Sequence, residues 1–558
     1  MKKTFIYISL ITFFLAIIGP IAPAQEKANK YADRVNALFA HYNDGISPGL
    51  AVLAVKDGKV LLSRGYGLAN LEHRIPITPK TVFDIASVSK QFAGLAVSML
   101  IEDGKISLQE DIREYIPELP DFGTTITINH LVHHTSGLRD WPGTLALAGW
   151  KMQDVISFDQ ILDMAFHQQA LNFHPGSEYL YSNTGYNVLA EMVRRVTGRT
   201  FRRWTEENIF QPLGMTNTHF QDDHTEVIPN KATGYFCSGK GEFFAIPNGL
   251  TALGSSSLYT SIDDLSKWVI NFLDPRICSQ TVIDRMLRRG VLNNGRQIEY
   301  ALGLGISRYR GLRTISHGGS WASFRTYLVH FPDQRFSVVT LMNHSPADSN
   351  KAAYDVAEII LADELKPQPK PRAKKPAEEL AEVPVSVLDE YVGTYRLGPA
   401  WYVSISREGK QLLSTATQEA PAPMTARSKS LFWVKDYGAT ISFVRNKTGR
   451  IDHFRYRGMT CPKLSETATI ITTPFSELIG QYESEELRTF YTVVEENGKL
   501  WAKHRRHGTI RLSPAWKDDF RASEWFMQSV KFTRDVEGKV NGFKVTAGRS
   551  RNQVFKKR

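Results

Sequence analysis

The spacing of apolar and polar residues predicts strands at both ends of the first part of the chain and helices between them. Residues 51–54 are uniformly apolar and predict a strand, and a returning strand is predicted at 60–64 after Lys-Asp-Gly-Lys, a sequence typical of a hairpin turn. Two more strands are predicted at 324–331 and 336–342, with Pro-Asp between them. Because helix-period segments fill the middle, the pattern indicates an antiparallel sheet flanked by helices, an α+β domain.

The last part of the chain contains one pattern twice. Residues 388–395 (LDEYVGTY) parallel 477–482 (ELIGQY), and 443–445 (FVR) parallel 532–534 (FTR). Both copies are rich in aromatic and β-branched residues and are interrupted by Gly-Arg or Gly-Lys turns. The repeat therefore predicts two small antiparallel β-barrels after the α+β domain, in a multidomain protein.

The N-terminal residues predict export. Lys2-Lys3 forms a positive start, residues 5–18 are apolar, and Ala22-Pro23-Ala24 is a small-residue cleavage site. Gly19-Pro20 ends the apolar segment too early to favour a membrane span, although a retained N-terminal anchor is the alternative. We expect a signal peptide and a periplasmic or secreted protein.

Together these patterns divide the chain into five parts. Pro and Lys alternate between the α+β domain and the first barrel, and such a sequence predicts an extended, semi-rigid linker because it cannot form a core. The predicted parts are a signal peptide at 1–24, the α+β domain at 25–365, the linker at 366–384 and β-barrel repeats at 385–470 and 471–558.

The net charge of +11 does not indicate a nucleic-acid partner. The 68 basic residues outnumber the 57 acidic ones but are dispersed, and the predicted export also argues against nucleic acid. A weak attraction to anionic cell-envelope polymers is the expected consequence of this charge. The sharpest basic run, 503–507 (KHRRH), is predicted at a solvated strand end rather than at a ligand site.

The cysteines and histidines do not predict a metal site. Cys237, Cys278 and Cys461 lack metal-ligand spacing, and the histidines between 130 and 134 have no Glu or Cys partner at that spacing. We therefore expect neither a metal nor another cofactor. An odd number of cysteines leaves one thiol unpaired, and the sequence leaves open a disulfide between Cys237 and Cys278.

Ser87 and Lys90 form the first candidate catalytic motif. Three residues apart, they lie about one helical turn from each other, and the apolar spacing that follows predicts a helix ending at Gly104. Backbone N–H groups at the helix start stabilise negative charge, and a lysine whose pKa is lowered by burial can take the serine proton. In isolation, the motif also fits an N-cap serine with a surface lysine.

Two later motifs supply further candidates. Tyr181 and Asn183 precede a predicted helix, and a tyrosine near two cations is expected to have a lowered pKa and to transfer protons. The Asn183 amide suits a substrate amide. Residues 317–320 (HGGS) follow a predicted strand, where glycines let a substrate approach the backbone. Taken singly, these motifs also fit a buried tyrosine and a strand-end turn.

The order Ser-x-x-Lys, Tyr-x-Asn, His-x-Gly resembles the superfamily of class C β-lactamases, penicillin-binding proteins and D-aminopeptidases. The resemblance covers roughly residues 30–360 and implies a β-lactamase/transpeptidase-like domain; the repeated tail resembles lipocalin-like barrels found on members of the group. Further matching stretches are 82–86 (VFDIA), 128–138 (INHLVHHTSGL), 212–215 (PLGM) and 254–268.

The resemblance assigns roles to the motif residues. Ser87 is the expected nucleophile of an acyl-enzyme mechanism, with Lys90 and Tyr181 sharing the proton transfers. Backbone N–H groups of Ser87 and Ser320 are expected to hold the oxyanion. The expected substrate-binding residues are Asn183, His317, Gly319 and Ser320.

One departure from the superfamily pattern bears on the substrate. Many of its β-lactamases and carboxypeptidases have Lys-Thr-Gly where this chain has His317-Gly318-Gly319, and histidine is mostly neutral at pH 7. The expected function is an exported serine hydrolase of small peptide, amide or ester substrates, similar to D-aminopeptidases or esterases. The alternatives are a β-lactamase, a penicillin-binding or peptidoglycan-sensing protein that is acylated without turnover, and an envelope-binding protein with a vestigial catalytic domain.

Overall fold

A computed structural model describes most of the chain from the first helix, Pro23–Phe39, onward. Residues 1–22, which hold most of the predicted signal peptide, and 368–380, which hold most of the predicted linker, lie outside the described residues. Within the described part, no helix combines the length and apolarity that crossing a membrane requires. The described ranges are 23–367, 381–417, 419–464 and 473–558.

A six-stranded antiparallel sheet forms the centre of the first domain. Strands from the two ends of the domain meet in it: Leu50–Lys56 pairs with Phe336–Met342, so that Leu53 lies opposite Val339. The predicted antiparallel sheet flanked by helices is confirmed. In sheet order the strands are Gly305–Tyr309, Leu312–Trp321, Phe324–Phe331, Phe336–Met342, Leu50–Lys56 and Lys59–Tyr66.

Helices cover both faces of this sheet. Along Leu50–Lys56 alternate residues point to opposite faces: Val52 packs in the core formed with Pro23–Phe39 and Ser349–Ile360, whereas Leu53 joins the larger core on the other face. The strand is therefore apolar on both sides, which explains its uninterrupted hydrophobic run. The helices of the larger layer are Lys90–Glu102, Ile128–Val132, Trp141–Leu147, Phe158–Phe166, Asn183–Thr197, Phe201–Thr205, Ile262–Leu273 and Gln280–Met286.

Short strands connect these helices to the sheet. They form one two-stranded and two three-stranded units. Their bounds are Leu68–Asn70 with Ile75–Pro76, Phe83–Asp84 with Leu258–Thr260 and His219–Phe220, and Tyr235–Cys237 with Phe243–Ala245 and His344–Ser345.

Two antiparallel eight-stranded barrels follow, as the repeat predicts. The first is nearly closed, since a single bridge between Tyr395 and Lys463 joins its two ends, and the second is closed. The first contains Gly393–Gly398, Trp401–Glu408, Gln411–Ala416, Ala422–Ala426, Leu431–Val434, Ala439–Arg445, Ile451–Tyr456 and Met459–Pro462. The second contains Gly480–Ser484, Thr489–Glu496, Lys499–His504, Gly508–Trp516, Asp519–Ala522, Ser529–Arg534, Val540–Ala547 and Ser550–Lys557.

The two barrels use equivalent contacts to hold a short helix at the start of each. Arg445 pairs with Glu390 in the first barrel, and Arg534 pairs with Glu477 at 2.7 Å in the second. The helices held in this way are Val385–Tyr391 and Phe475–Leu478. The repeat in the sequence thus corresponds to a repeated set of contacts.

The second barrel docks against the first domain through a buried ion pair. Arg139 and Glu486 form this pair, and their side chains are only 1% and 5% exposed. Nearby, the Tyr491 hydroxyl donates a hydrogen bond of 2.9 Å to the carbonyl of Leu147. Because a buried charge requires a partner, the pair fixes how the two domains meet.

The basic run 503–507 lies at the end of the strand Lys499–His504, as predicted, and Arg505 and Arg506 are exposed, but part of the run also contacts the first domain. The His507 ring donates from Nε2 to the carbonyl of Ala146 at 2.7 Å, and Arg506 pairs with Asp154 at 2.8 Å. The run faces a domain that lies more than 350 residues away in the sequence, which a local charge pattern does not reveal.

The cysteines are all free thiols. Cys237 and Cys278 are half-buried and unpaired, and Cys461 is buried in the first barrel. The disulfide that the sequence left open between Cys237 and Cys278 is therefore not formed.

Candidate active site

Ser87 lies in a tight turn at the start of the predicted helix. A single 3-10 turn, Ala86–Ser89, leads directly into the helix Lys90–Glu102. Ala86 adopts a left-handed backbone conformation with φ of 47°, which is unfavourable for a residue with a Cβ atom. This turn presents Ser87 to a cavity of about 620 Å³.

Lys90 is positioned to act as a base toward Ser87. Its Nζ lies 3.2 Å from Ser87 Oγ and 2.7 Å from both Asn183 Oδ1 and the Ser255 carbonyl oxygen. Lys90 is wholly buried, and burial lowers the pKa of its amine well below the usual value. A neutral amine has two N–H groups for the two carbonyl oxygens, and its lone pair then faces the Ser87 hydroxyl.

Tyr181 has a raised pKa, so the predicted lowering was wrong. Burial raises the pKa of its phenol well above the usual range, and the nearby Ser87 hydroxyl and Arg549 charge oppose this rise only in part. The prediction assumed a charged lysine nearby. Nζ of Lys90 does lie 4.9 Å from the ring centre, but burial favours its neutral form. Tyr181 therefore remains a neutral phenol that can donate a proton.

Asp140 and Arg549 complete this side of the site. Asp140 accepts the Asn183 backbone N–H at 2.7 Å and pairs with Arg549 at 2.9 Å. The Arg549 guanidinium also lies 5.2 Å from the centre of the Tyr181 ring. Burial raises the pKa of the Asp140 carboxyl, and the Arg549 charge opposes that rise.

Sequence reasoning missed both of these residues. Asp140 follows the stretch 128–138 but belongs to no catalytic motif, and Arg549 lies in the last hairpin of the second barrel. No sequence signal identifies a residue that reaches the site from another domain. Asn183 was predicted to bind a substrate amide; its own amide contacts Lys90 and, at 3.3 Å, Asp140.

His317 lies on the opposite wall as a neutral imidazole. Its Nδ1 is 2.7 Å from the Gly318 carbonyl oxygen and therefore carries the proton, so Nε2 accepts from the Tyr300 hydroxyl at 3.0 Å. Burial, with a smaller effect of Lys90, lowers the pKa of His317 to about 3. The ring therefore supplies no positive charge at neutral pH.

Gly319 allows the strand Leu312–Trp321 to contact the nucleophile turn. A Cβ atom at this position would lie 2.3 Å from the Ile85 carbonyl oxygen and 2.2 Å from Thr326 Oγ1. Both are too close for any side chain, so glycine is required here. This approach places Gly319 and Ser320 on the cavity wall that faces Ser87.

Residues from two domains line the cavity. The lining includes three tryptophans, and two of the lining side chains, Trp525 and Arg549, come from the second barrel. The apolar lining residues include Trp141, Met152, Leu250, Trp321 and Trp525.

The fold and this arrangement of Ser, Lys, Tyr and Asn define a β-lactamase/transpeptidase-like protein. The chain belongs to the beta-lactamase family, whose model matches residues 35–361. The match covers the whole first domain around the cavity and ends before the barrels.

Relatives share parts or most of the chain. A D-aminopeptidase of Gluconobacter oxydans is 30% identical over 326 residues, 58% of this chain, and the match spans only 61% of that relative. Penicillin-binding protein 4* of Bacillus subtilis is 26% identical over 70% of this chain and 89% of its own length. A D-aminopeptidase of Brucella anthropi is 25% identical over 94% of this chain and 97% of its own length.

Among solved structures, the octameric penicillin-binding protein homologue from Pyrococcus abyssi is similar in fold. It aligns with a TM-score of 0.54 and 20% identity over 86% of this chain and 98% of that one. At this identity the likeness concerns the fold alone.

Proposed function

We propose that the protein is an exported serine hydrolase that acts through an acyl-enzyme on small peptide, amide or ester substrates. The observation that carries this proposal is the environment of Lys90. Its Nζ contacts two carbonyl oxygens and lies 3.2 Å from the Ser87 hydroxyl, so once the amine is neutral and both of its N–H groups are used, its lone pair is directed at that hydroxyl. That arrangement activates a serine without histidine.

The first half of the reaction follows from these contacts. Ser87 Oγ attacks the substrate carbonyl carbon while its proton passes to Lys90 Nζ. The oxyanion is held by the backbone N–H groups of Ser87 and Ser320. Tyr181 donates its proton to the leaving nitrogen or oxygen as that bond breaks, and it regains a proton from the Lys90 ammonium.

The second half uses the same groups in reverse. A water molecule attacks the acyl carbon, and one of its protons passes by way of Tyr181 to Lys90. Lys90 then returns a proton to Ser87 as the ester bond breaks. Lys90 must be neutral at the start of each half. The Asn183 amide keeps Lys90 aimed at Ser87 and is also the group expected to orient a substrate amide.

The cavity supports short substrates with an apolar group. Trp141, Trp321 and Trp525 offer aromatic surface beside the nucleophile, and the second barrel limits the length of the cleft. One D-aminopeptidase relative matches 58% of the chain, and another matches 94% of it. These similarities favour an amide or peptide substrate with a D-residue. Weak attraction to envelope polymers would keep the enzyme near such substrates.

A penicillin-binding protein that is acylated without turnover is the second candidate. The similarity to penicillin-binding protein 4* over 89% of that protein favours it. A β-lactamase is less favoured because His317 is neutral, whereas a substrate carboxylate is best held by a permanent cation.

Ser87→Ala tests the proposal. We expect a fluorophosphonate to label the wild-type protein but not Ser87→Ala. Ser98→Ala is the control and should be labelled like the wild type, because Ser98 lies in the helix Lys90–Glu102 and its hydroxyl donates to the Val282 carbonyl. Turnover of D-amino-acid amides, short-chain p-nitrophenyl esters and a chromogenic cephalosporin then separates the candidates. Labelling without turnover of any of them would favour the penicillin-binding alternative, and equal labelling of Ser87→Ala would refute the nucleophile assignment.

His317→Lys tests the role of the opposite wall. A lysine there adds a cation, so preference should shift toward substrates with a carboxylate by about 1 to 3 kcal/mol. The measurement is the ratio of kcat/KM for matched substrates with and without the carboxylate. His317→Gln, which adds no charge, is the control and should leave the ratio unchanged. An equal loss for both substrates would place His317 in the proton path instead.

A further inference from the structure

Asp84 is a buried carboxylate that no step of the proposed mechanism uses. It lies in the short strand Phe83–Asp84, two residues before the left-handed Ala86, and is wholly buried. Burial raises the pKa of its carboxyl to about 6, although hydrogen bonds oppose that rise. A carboxylate in such surroundings requires hydrogen bonds to compensate for the loss of water.

One oxygen of this carboxylate binds the nucleophile turn. Asp84 Oδ1 accepts the backbone N–H of Ala86 at 2.7 Å. This contact between a side chain and the backbone two residues on is a common way to stabilise a turn. It holds Ala86 in its left-handed conformation and so sets the direction of the following peptide, which carries the N–H of Ser87.

The other oxygen leads to the opposite wall of the cleft. Asp84 Oδ2 accepts from Asn248 Nδ2 at 2.8 Å, and Asn248 Oδ1 accepts the indole N–H of Trp321 at 3.0 Å. Trp321 directly follows Ser320 in the strand Leu312–Trp321. Asp84 therefore contacts the nucleophile turn directly and the strand Leu312–Trp321 through the Asn248 amide. These two segments carry the proposed oxyanion donors.

We infer that Asp84 is a positioning residue that holds the two donors of the oxyanion site, Ser87 N–H and Ser320 N–H, at a fixed separation. The inference rests on the proposed acyl-enzyme function. Donors stabilise an oxyanion only when they lie about 2.7 to 3.1 Å from it, and the two donors here belong to segments more than 200 residues apart. Asp84 and Asn248 join those segments behind the cavity wall.

Asp84→Asn tests this role. The new amide keeps an oxygen for the Ala86 N–H but turns its NH₂ toward Asn248 Nδ2, so two donors face each other and the link to Trp321 is broken. We expect kcat to fall about tenfold to hundredfold with KM changed by less than about threefold. The affinity for a boronic acid that mimics the tetrahedral adduct should fall by the same factor as kcat.

A donor–acceptor exchange provides the rescue. In Asp84→Asn/Asn248→Asp, the amide and carboxylate exchange places, so the hydrogen bond between them and the acceptor for Trp321 are both restored. We expect kcat and boronate affinity to return to within about fivefold of the wild type. Asp264→Asn is the matched control, since Asp264 is also wholly buried but binds Asn217 and Thr218 away from the cavity. It should lower the melting temperature and leave kcat unchanged.

Three results would overturn the inference. These are an unchanged kcat in Asp84→Asn, a loss of kcat without an equal loss of boronate affinity, and a double variant no better than the single one. If Asp84→Asn does not fold, Asn248→Leu, which keeps the size of the side chain but removes the amide that links Asp84 to Trp321, should lower both quantities by about threefold to tenfold; no change in either would count against the inference. Ser87-dependent turnover by the wild type decides the proposed function separately, so the two failures are distinct.

Discussion

Replacing Lys90 with alanine is expected to lower turnover by about two to four orders of magnitude while leaving the cavity intact. The reason is that the Ser87 hydroxyl loses the amine 3.2 Å away that takes its proton in the proposed mechanism, so the proton must pass to water. The measurement is kcat on an ester that the wild type hydrolyses. Lys267→Ala is the control, because that lysine lies on the surface and pairs with Asp264.

The pH profile of the wild type follows from the same residue. Because burial lowers the pKa of Lys90, the neutral amine persists to lower pH than an exposed lysine allows and is lost as the pH falls through that lowered pKa. Tyr181 must stay protonated, and burial raises its pKa, so no loss is expected as the pH rises through the usual range of tyrosine. Activity should therefore decline on the acidic side and remain high on the alkaline side until the protein unfolds. Near-wild-type turnover by Lys90→Ala would contradict this mechanism.

Arg139→Ala is expected to weaken the docking of the second barrel by about 3 to 5 kcal/mol. The substitution leaves the Glu486 carboxylate buried without its partner, and an unpaired buried charge is strongly destabilising. Because Trp525 and Arg549 reach the cavity from this barrel, activity should fall as well. Urea midpoints and susceptibility to limited proteolysis measure the docking, and kcat/KM measures the cavity.

Two further variants distinguish the effect of the buried pair Arg139–Glu486 from the effect of an exposed ion pair. Arg551 lies in the same hairpin as Arg549 and pairs with Glu178, which is 48% exposed. Arg551→Ala should therefore weaken the docking by at most about 1 kcal/mol. Arg139→Met/Glu486→Met removes both charges and should recover much of the lost stability. If Arg139→Ala behaves like Arg551→Ala, the docking depends on other contacts.

Local patterns were sufficient for the strands, the helices and the motif residues. Ser87 and Lys90 lie one turn apart because helical spacing places them so, and the helix predicted after Tyr181 forms, although it already begins at Asn183. The hairpin Phe324–Phe331 and Phe336–Met342 has the bounds that its apolar runs indicate. Each of these depends on residues that are neighbours in the sequence.

What the sequence could not show depends on burial and on distant contacts. The pKa of Tyr181 is governed by the loss of water around its phenol, a property of the folded cavity rather than of its neighbours in the chain. Asp140 meets Arg549 only because the second barrel docks where it does. The contacts of His507 with Ala146 and of Arg506 with Asp154 depend on the same docking, so the charge pattern of the run 503–507 does not reveal them.

The position of Arg549 has a consequence for recognising and expressing this kind of protein. Every motif by which the family is identified lies before residue 361, yet the cavity is completed by a side chain from the last hairpin. A shortened gene that stops after the first domain would still be assigned to the family and would encode Ser87, Lys90 and Tyr181. In its product, the cavity would lack the side chains of Trp525 and Arg549. During synthesis, too, the cavity is completed only after the second barrel has been made, so the hydrolase reaches its final specificity later than its motif residues are in place.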